Sequence, residues 1–331
     1  MNKSKFLLGA LIVVLVLLAG GSWLIFGNNV GLAAYANADK YTVGNAEITS
    51  PVENLDIDWV AGKVNIEYHS GSGISLSETA NRNISEDEKL RWWLDGKTLR
   101  IQYAKPMLTV FNNLKKTLTV SLPEGITFTS ADIDTTSADV NVPAMTADEI
   151  RFDTTSGDVN AVITAKKLSA SSTSGELTIR QDSDINAASF STTSGNVSFT
   201  VRSADSISIG STSGDITLTA SGNIGFLNLD STSGSIKPDI AAVDKAVFSA
   251  TSGDIVAKLT SFSDLNVDVT SGDVTLKLAE AAGFTLDLDA RPSKLNSSLA
   301  LVKKGDEQYV YGDGSARLRV STTSGDIHID K

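Results

Sequence analysis

Apolar residues recur along the chain in rows with a period of about 19 residues, and a Thr-Ser-Gly-Asp tetrapeptide marks each period. An apolar, mostly β-branched residue stands two positions after the glycine, and further apolar residues stand five and seven positions before it. This alternation is typical of β-strands with one buried face. The repeat therefore predicts an all-β fold, a single-chain β-solenoid (β-helix) whose coils each consist of a strand, a corner, a second strand and a return turn.

The glycine of each tetrapeptide is predicted to form the corner between two strands. We expect it to adopt a positive φ, which costs glycine little, while the Ser and Asp side chains bond to nearby backbone groups. Ala138 takes this place in the first coil. The corner glycines are Gly157, Gly175, Gly195, Gly214, Gly234, Gly253, Gly272 and Gly325.

The segments around the regular repeats differ in pattern. Residues 131–331 form the predicted solenoid, but Gly272 and Gly325 are 53 residues apart, which leaves room for one ordinary coil and an insertion near residues 290–314. Residues 45–130 contain strand-like stretches without the tetrapeptide, and we expect an N-terminal cap with irregular first coils. A cap is needed because an open solenoid end exposes unpaired strand groups.

Residues 6–26 contain no charged side chain and are long enough to cross a bilayer as a helix. Lys3 and Lys5 lie in the short tail 1–5, which the positive-inside rule places in the cytoplasm. A transmembrane helix followed by a linker at 27–44 would hold the solenoid outside the cell membrane as a single-pass protein. Cleavage after Ala34-Tyr35-Ala36 is the alternative, and it also places the solenoid outside.

The composition narrows the choice of partners. The chain carries 28 Lys and Arg against 39 Asp and Glu, a net charge of -11, which argues against nucleic acid. It has no cysteine, so disulfides and thiolate metal sites are excluded.

The tetrapeptide coils, the Leu122-Pro123-Glu124-Gly125 turn and the closing segment 321–327 resemble the bacterial LiaG-like putative-adhesin domain family of unknown function. The resemblance covers about residues 45–331. It implies a β-solenoid behind an N-terminal membrane segment, and it brings no catalytic residue and no cofactor. Some relatives are encoded beside envelope-stress signalling systems.

Two groups of residues are candidates for binding. Acidic residues after the corner glycines would lie about 5 Å apart in stacked coils and could bind a cation weakly, although a role in the corner and in solubility is the stronger prediction. Trp92 and Trp93 either fill the cap or contact a ligand. The candidate cation ligands are Asp139, Asp158, Asp254 and Asp273.

These patterns favour a membrane-anchored, extracytoplasmic surface scaffold or binding protein without catalytic activity. Its expected partners are membrane lipid through residues 6–26 and a cell-wall polymer, a glycan or an envelope membrane protein. One alternative is an accessory of envelope-stress or cell-wall signalling. A second is a polysaccharide-active β-helix enzyme, which would need a coil with clustered acids, basic groups and aromatic rings.

Overall fold

The structure is a computed structural model, and it describes residues 35–106, 113–279, 283–290 and 294–331. The predicted cytoplasmic tail 1–5 and transmembrane segment 6–26 lie outside these ranges, as does the linker up to residue 34. Within the described ranges, no helix is long and apolar enough to cross a membrane.

The described residues form two short 3₁₀ helices, Ala38–Lys40 and Glu86–Glu88, and 25 β-strands. The strands before the repeats are β1 (Thr42–Val43), β2 (Ala46–Ile48), β3 (Asn54–His69), β4 (Ile74–Ala80), β5 (Arg91–Asp95), β6 (Thr98–Gln102) and β7 (Lys116–Pro123). The regular repeats contain β8 (Phe128–Val142), β9 (Thr146–Thr154), β10 (Val159–Val162), β11 (Thr164–Ser172), β12 (Leu177–Gln181), β13 (Ile185–Thr192), β14 (Val197–Val201), β15 (Ala204–Ser211), β16 (Ile216–Ser231), β17 (Ile236–Ala250), β18 (Ile255–Val269) and β19 (Val274–Leu278). The last strands are β20 (Phe284–Asp289), β21 (Leu295–Ser297), β22 (Val302–Lys303), β23 (Gln308–Tyr311), β24 (Ala316–Thr322) and β25 (Ile327–Asp330).

The repeats stack as parallel, in-register coils, which confirms the predicted all-β solenoid and its period. Val197, two residues after a corner glycine, pairs with Leu177 in one neighbouring coil and with Ile216 in the other. Phe190, five residues before the same glycine, pairs with Ala170 and Ile209. Both rows are buried along the repeats, so the strands on either side of the corner enclose one continuous apolar core.

The corner glycines are required for a reason other than the predicted one. The glycines with positive φ among the described residues are Gly44, Gly62, Gly96, Gly125, Gly312 and Gly314, so the prediction of positive φ at the repeat glycines was wrong. Instead, a Cβ added at any repeat glycine would lie only 1.7–2.1 Å from the carbonyl oxygen of the equivalent residue in the adjacent coil. Glycine is therefore fixed by the close approach of one backbone to the next.

Buried hydroxyl groups bond to the backbone of the same corners. The hydroxyl of Thr154 lies 3.0 Å from both the amide nitrogen and the carbonyl oxygen of Gly157, and the Ser172 hydroxyl donates to the Gly175 carbonyl at 2.7 Å. These bonds satisfy polar groups that would otherwise be buried without partners. The buried hydroxyl residues in this position are Thr135, Thr154, Ser172, Thr192, Ser211, Ser231 and Thr322.

At each end of the rod, one coil is inserted out of sequence order. β3 pairs with β8 on one side and with β6 and β7 on the other, so the first coil lies between the regular repeats and cap strands that follow it in the sequence. The closing strand β24 likewise lies between β18 and β20, with Val320 paired to both Val267 and Leu288. The additional coil between Gly272 and Gly325 therefore stacks beyond the closing coil, at the end of the rod.

Antiparallel strands cover both ends of the parallel stack. β4 and β5 pair with β7 and β6 at one end, and β23 pairs with β20 at the other. The outermost strands β1, β2 and β22 have only 2, 3 and 2 residues. Short antiparallel edges offer little backbone for pairing with another chain.

A buried ion pair holds the N-terminal cap together. The Lys116 ammonium lies 2.7 Å from a Glu78 carboxylate oxygen and 2.7 Å from the Glu88 carbonyl oxygen. The ring centroids of Tyr103 and Trp59 lie 4.2 and 4.8 Å from it. Burial lowers the pKa of Lys116, and the hydrogen bond to Glu78 opposes that change. The ammonium also donates to the Tyr103 carbonyl, so the charge is enclosed by a carboxylate, two carbonyls and two aromatic faces.

The close approach at the corners predicts a large cost for one added methyl group. Gly214→Ala would place its Cβ 2.0 Å from the Gly195 carbonyl oxygen, and we expect it to lower the free energy of unfolding by about 3 kcal/mol or more. Gly210→Ala is the matched control, because nothing lies within 4 Å of the added Cβ, and its effect should stay within about 0.5 kcal/mol. Urea titration of both variants measures this. Equal stability of the two would contradict the account of the corner.

Candidate ligand-binding face

The acidic residues that follow the corner glycines serve the backbone of the next coil. The Asp158 carboxylate accepts a hydrogen bond from the Glu176 amide at 2.8 Å, and Asp254 accepts one from Asp273 at 2.9 Å. Asn196 does the same for Asp215 at 2.9 Å, so the oxygen acceptor matters more than the charge. The same contact is made by Asp139 to Asp158 and by Asp273 to Asp326.

No metal centre is formed by the parts of the chain that the structure describes. Within them, no three His, Cys, Asp or Glu side chains are grouped so that they could hold a metal ion. The candidate cation ligands instead lie one per coil, each used by a neighbouring amide.

The two tryptophans of β5 point in opposite directions. Trp92 pairs with the buried Ile101 and packs partly against the core, whereas Trp93 pairs with Arg100. The Trp93 ring lies 5.7 Å from the Tyr41 ring, and the Lys40 ammonium lies 4.8 Å from the Trp93 centroid. Trp92 is thus a cap residue, and Trp93 belongs to an aromatic group beside the outward side chains of β6.

Two rows of outward-facing residues cross the strands that precede the corners. The first row begins at Arg100 and runs through charged residues of the first coils to serines of the middle coils. The second row lies two residues further along each strand and also changes from charged to small residues. The first row contains Asp56, Asp132, Arg151, Ser169, Ser189 and Ser208. The second contains Asp58, Asp134, Asp153, Ser171, Ser191 and Gly210. We call this surface the outer face.

The N-terminal part of the outer face is an acidic cluster centred on Arg151. Its guanidinium lies 3.4 Å from Asp132, 3.9 Å from Asp134 and in contact with Asp153. Burial raises the pKa of Asp134 to about 7, although Arg151 acts against this, and the Asp153 charge raises it further. Asp134 therefore titrates near physiological pH and is partly protonated there.

Asp58 extends this cluster into the first coil, where it pairs with Asp134 across the strands. Its side chain keeps access to solvent, yet the surrounding protein desolvates the carboxyl and raises its pKa to about 6, with a further contribution from Asp56. Arg100 contacts Asp56 on the same surface. The cluster therefore combines carboxyls of unequal acidity with two guanidinium groups and lies near Trp93.

A groove of about 560 Å³ lies between the first row of the outer face and the neighbouring row that contains Glu149, Lys167 and Ala187, next to the cluster. Small residues of the middle coils form its centre, charged residues lie at one end, and Phe226 closes the other end with 42% of its surface exposed. A volume of this size is within the usual range of ligand pockets. The small central side chains are Ser169, Ala187, Ser189, Ser206 and Ser208.

The sequence interpretation missed the outer face because it considered only the tetrapeptide and the buried rows. A signal was present in the repeated Asp-Ile-Asp of residues 56–58 and 132–134, followed by Arg-Phe-Asp at 151–153. These tripeptides stand at equivalent strand positions, so alternate residues must share one surface. The cap strand that supplies Arg100 has no such signal.

The fold and this face define a parallel β-solenoid with capped ends and a grooved outer surface. The chain belongs to the Toastrack DUF4097 family, whose model matches residues 52–262 and, in a second overlapping match, residues 164–330. The match establishes this broader family, and the narrower LiaG-like resemblance stays a prediction.

Solved structures offer weak similarities. A putative adhesin from Bacteroides fragilis NCTC 9343 is 15% identical over 72% of this chain and 97% of its own, with a TM-score of 0.40. A putative cell adhesion protein from Clostridium sporogenes ATCC 15579 is 13% identical over 87% of this chain and 99% of its own, with a TM-score of 0.19. No curated protein matches the chain.

The raised pKa of Asp134 predicts a stability that falls with increasing pH. Its folded pKa of about 7 exceeds the unfolded value of about 3.9, so the folded state binds the proton more tightly between these values. This contribution is complete below pH 4 and is lost as the pH rises through about 7. At pH 8, the melting temperature of Asp134→Asn should therefore be a few degrees above that of wild type. At pH 4.5, where Asp134 is protonated in the folded wild type, the two melting temperatures should be closer.

Asp268→Asn is the matched control for this measurement, since Asp268 occupies the equivalent place between Ser249 and Ser321. Calorimetry at the two pH values should show that this variant follows wild type. An Asp134→Asn variant with the wild-type pH dependence would contradict the assignment.

Proposed function

We propose that this chain is an extracytoplasmic scaffold, tethered to the cell membrane, that binds an extended ligand on its outer face and does not transform it. The groove across successive coils carries this proposal. In a solenoid, equivalent side chains of adjacent strands repeat at about 4.8 Å, so such a face can contact a long ligand at many points.

The tether in this proposal is the apolar segment 6–26. Tyr35, the first described residue, donates a hydrogen bond to the Ala104 carbonyl at 3.1 Å, and its ring lies 4.8 Å from that of Tyr41. The chain thus joins the rod at its N-terminal end. Residue 35 follows residue 26 by nine positions, which span at most about 30 Å, so the acidic cluster would face the region near the membrane.

The ligand class in this proposal is a cell-wall polymer, a glycan or an envelope membrane protein, while lipid is contacted through residues 6–26. A protein ligand would make the chain an accessory of envelope or cell-wall signalling. In either case the rod holds the binding face at a fixed orientation to the membrane.

The acidic cluster favours a second candidate, a polysaccharide-active enzyme. It provides what such a site needs: carboxyls on adjacent strands, guanidinium groups and an aromatic ring. Asp134, with its pKa raised to about 7, would be the general acid, and Asp58 or Asp153 the second carboxylate. Release of reducing sugar from wall polysaccharide, lost in Asp134→Asn, would establish this candidate in place of the scaffold.

Photo-cross-linking in living cells tests the scaffold proposal. The full-length chain with a photoreactive amino acid at Ser189, on the outer face, should cross-link to one discrete partner, because the bound ligand covers this position. Thr219 is the control, an exposed residue on a strand that follows a corner. An external protease should remove a C-terminal tag from intact cells. A protected tag, or equal capture at both positions, would contradict the proposal.

A further inference from the structure

We propose that the groove of the outer face is a subsite for an extended, uncharged glycan, which lies along the rod axis with one sugar ring stacked on Phe226. This proposal rests on the binding function proposed above and names the ligand class for the same face. Three properties of the groove carry it: its length, its balance of charge and the exposed aromatic ring.

The groove is long and shallow in the direction of the rod axis. Its lining comes from six successive strands, from β8 through β9, β11, β13 and β15 to β16. Five intervals of about 4.8 Å give a length of about 24 Å, enough for an oligosaccharide of several units. A compact small molecule would leave most of this length empty, so the shape favours a linear ligand.

The charged residues at one end of the groove neutralise one another. Lys167 lies 2.7 Å from Glu149, and Arg151 lies 3.4 Å from Asp132. Within the groove lining itself, two cations and two anions therefore leave no net charge, while the carboxyls of Asp134 and Asp153 adjoin Arg151 outside the lining. Electrostatic complementarity consequently favours an uncharged polymer over a polyanion or a polycation.

The centre of the groove offers hydroxyl groups beside apolar surface. Ser189 and Ser208 are exposed, and in the part of the chain that the structure describes neither hydroxyl has a hydrogen-bond partner. Ala187 lies on the same strand as Ser189, next to Lys167 in the strand register. Sugars present hydroxyls at their edges and C–H groups on their faces, and this combination of side chains suits both.

Phe226 supplies an aromatic platform at the other end. It is 42% exposed, and it pairs with Ser206 on one side and Lys245 on the other, so a small residue adjoins it on the groove side. The preceding Gly225 keeps the backbone near the adjacent coil, because a Cβ there would lie 2.8 Å from the Asp205 carbonyl oxygen. An exposed ring held over a groove gains free energy when a ligand covers it.

Isothermal titration calorimetry of the purified full-length chain tests this assignment, with cellohexaose and N-acetylchitohexaose as probes. Wild type should bind at least one hexaose. Phe226→Ala should weaken that binding about tenfold by removing the stacking surface. Ser189→Trp should abolish it by filling the groove from an exposed position. Val256→Ala is the matched control, an exposed apolar residue (41%) outside the groove lining, and should leave the affinity within about twofold.

Each outcome decides the assignment. Failure of wild type to bind either hexaose, or equal binding by Phe226→Ala and wild type, would overturn it. Circular dichroism of the variants separates lost binding from lost folding. Selective capture of a protein partner at Ser189 in cells, together with no hexaose binding, would overturn the glycan assignment while leaving the scaffold function standing.

Discussion

The fold depends on how closely the backbone of one coil approaches the next at the corner. At Gly214 the space for a Cβ is occupied by the Gly195 carbonyl oxygen, 2.0 Å away, and the same holds along the whole row of repeat glycines. This contact sets the axial position of each coil, so the flanking strands pair in register and their apolar residues form continuous buried rows. A buried hydroxyl such as that of Ser172, and a carboxylate such as that of Asp158, then satisfy the corner's amide and carbonyl groups.

The same register builds the surface that we propose to be functional. Since every coil is a near-translation of its neighbour, an outward residue at one strand position joins a row that runs along the rod. Asp58, Asp134 and Asp153 come from three coils and meet only because those coils stack in register. Further along, the first row of the outer face contains serines, and together with Ala187 and Ser206 of the neighbouring row these small residues open the groove. A structural constraint at the corner thus determines where charge, hydroxyl groups and an aromatic ring can be combined.

Much of the solenoid could be predicted from the sequence, because its contacts are between equivalent positions of a short repeat. The period and the buried rows at Val197 and Phe190 follow from counting. The physical reason for the repeat glycines could not be predicted. A glycine required for a positive φ and a glycine required for close packing against a carbonyl produce the same sequence pattern. The arrangement of the ends could not be predicted from the sequence either. The insertion of β3 and β24 between the stack and its caps depends on contacts between residues far apart in the chain. Arg100 joins the acidic cluster only through that insertion.

The most direct test of the stacking account is to remove one complete coil. Deletion of residues 197–215 joins Asn196 to Ile216, which the register makes equivalent to the deleted Val197, so every remaining corner would still face a corner. The account predicts a folded protein with a β-rich circular dichroism spectrum and one cooperative thermal transition, shorter by about 4.8 Å along the rod. Deletion of residues 197–206 shifts the register by half a coil and should prevent folding. Equal folding of both deletions, or collapse of the full-coil deletion, would contradict the account.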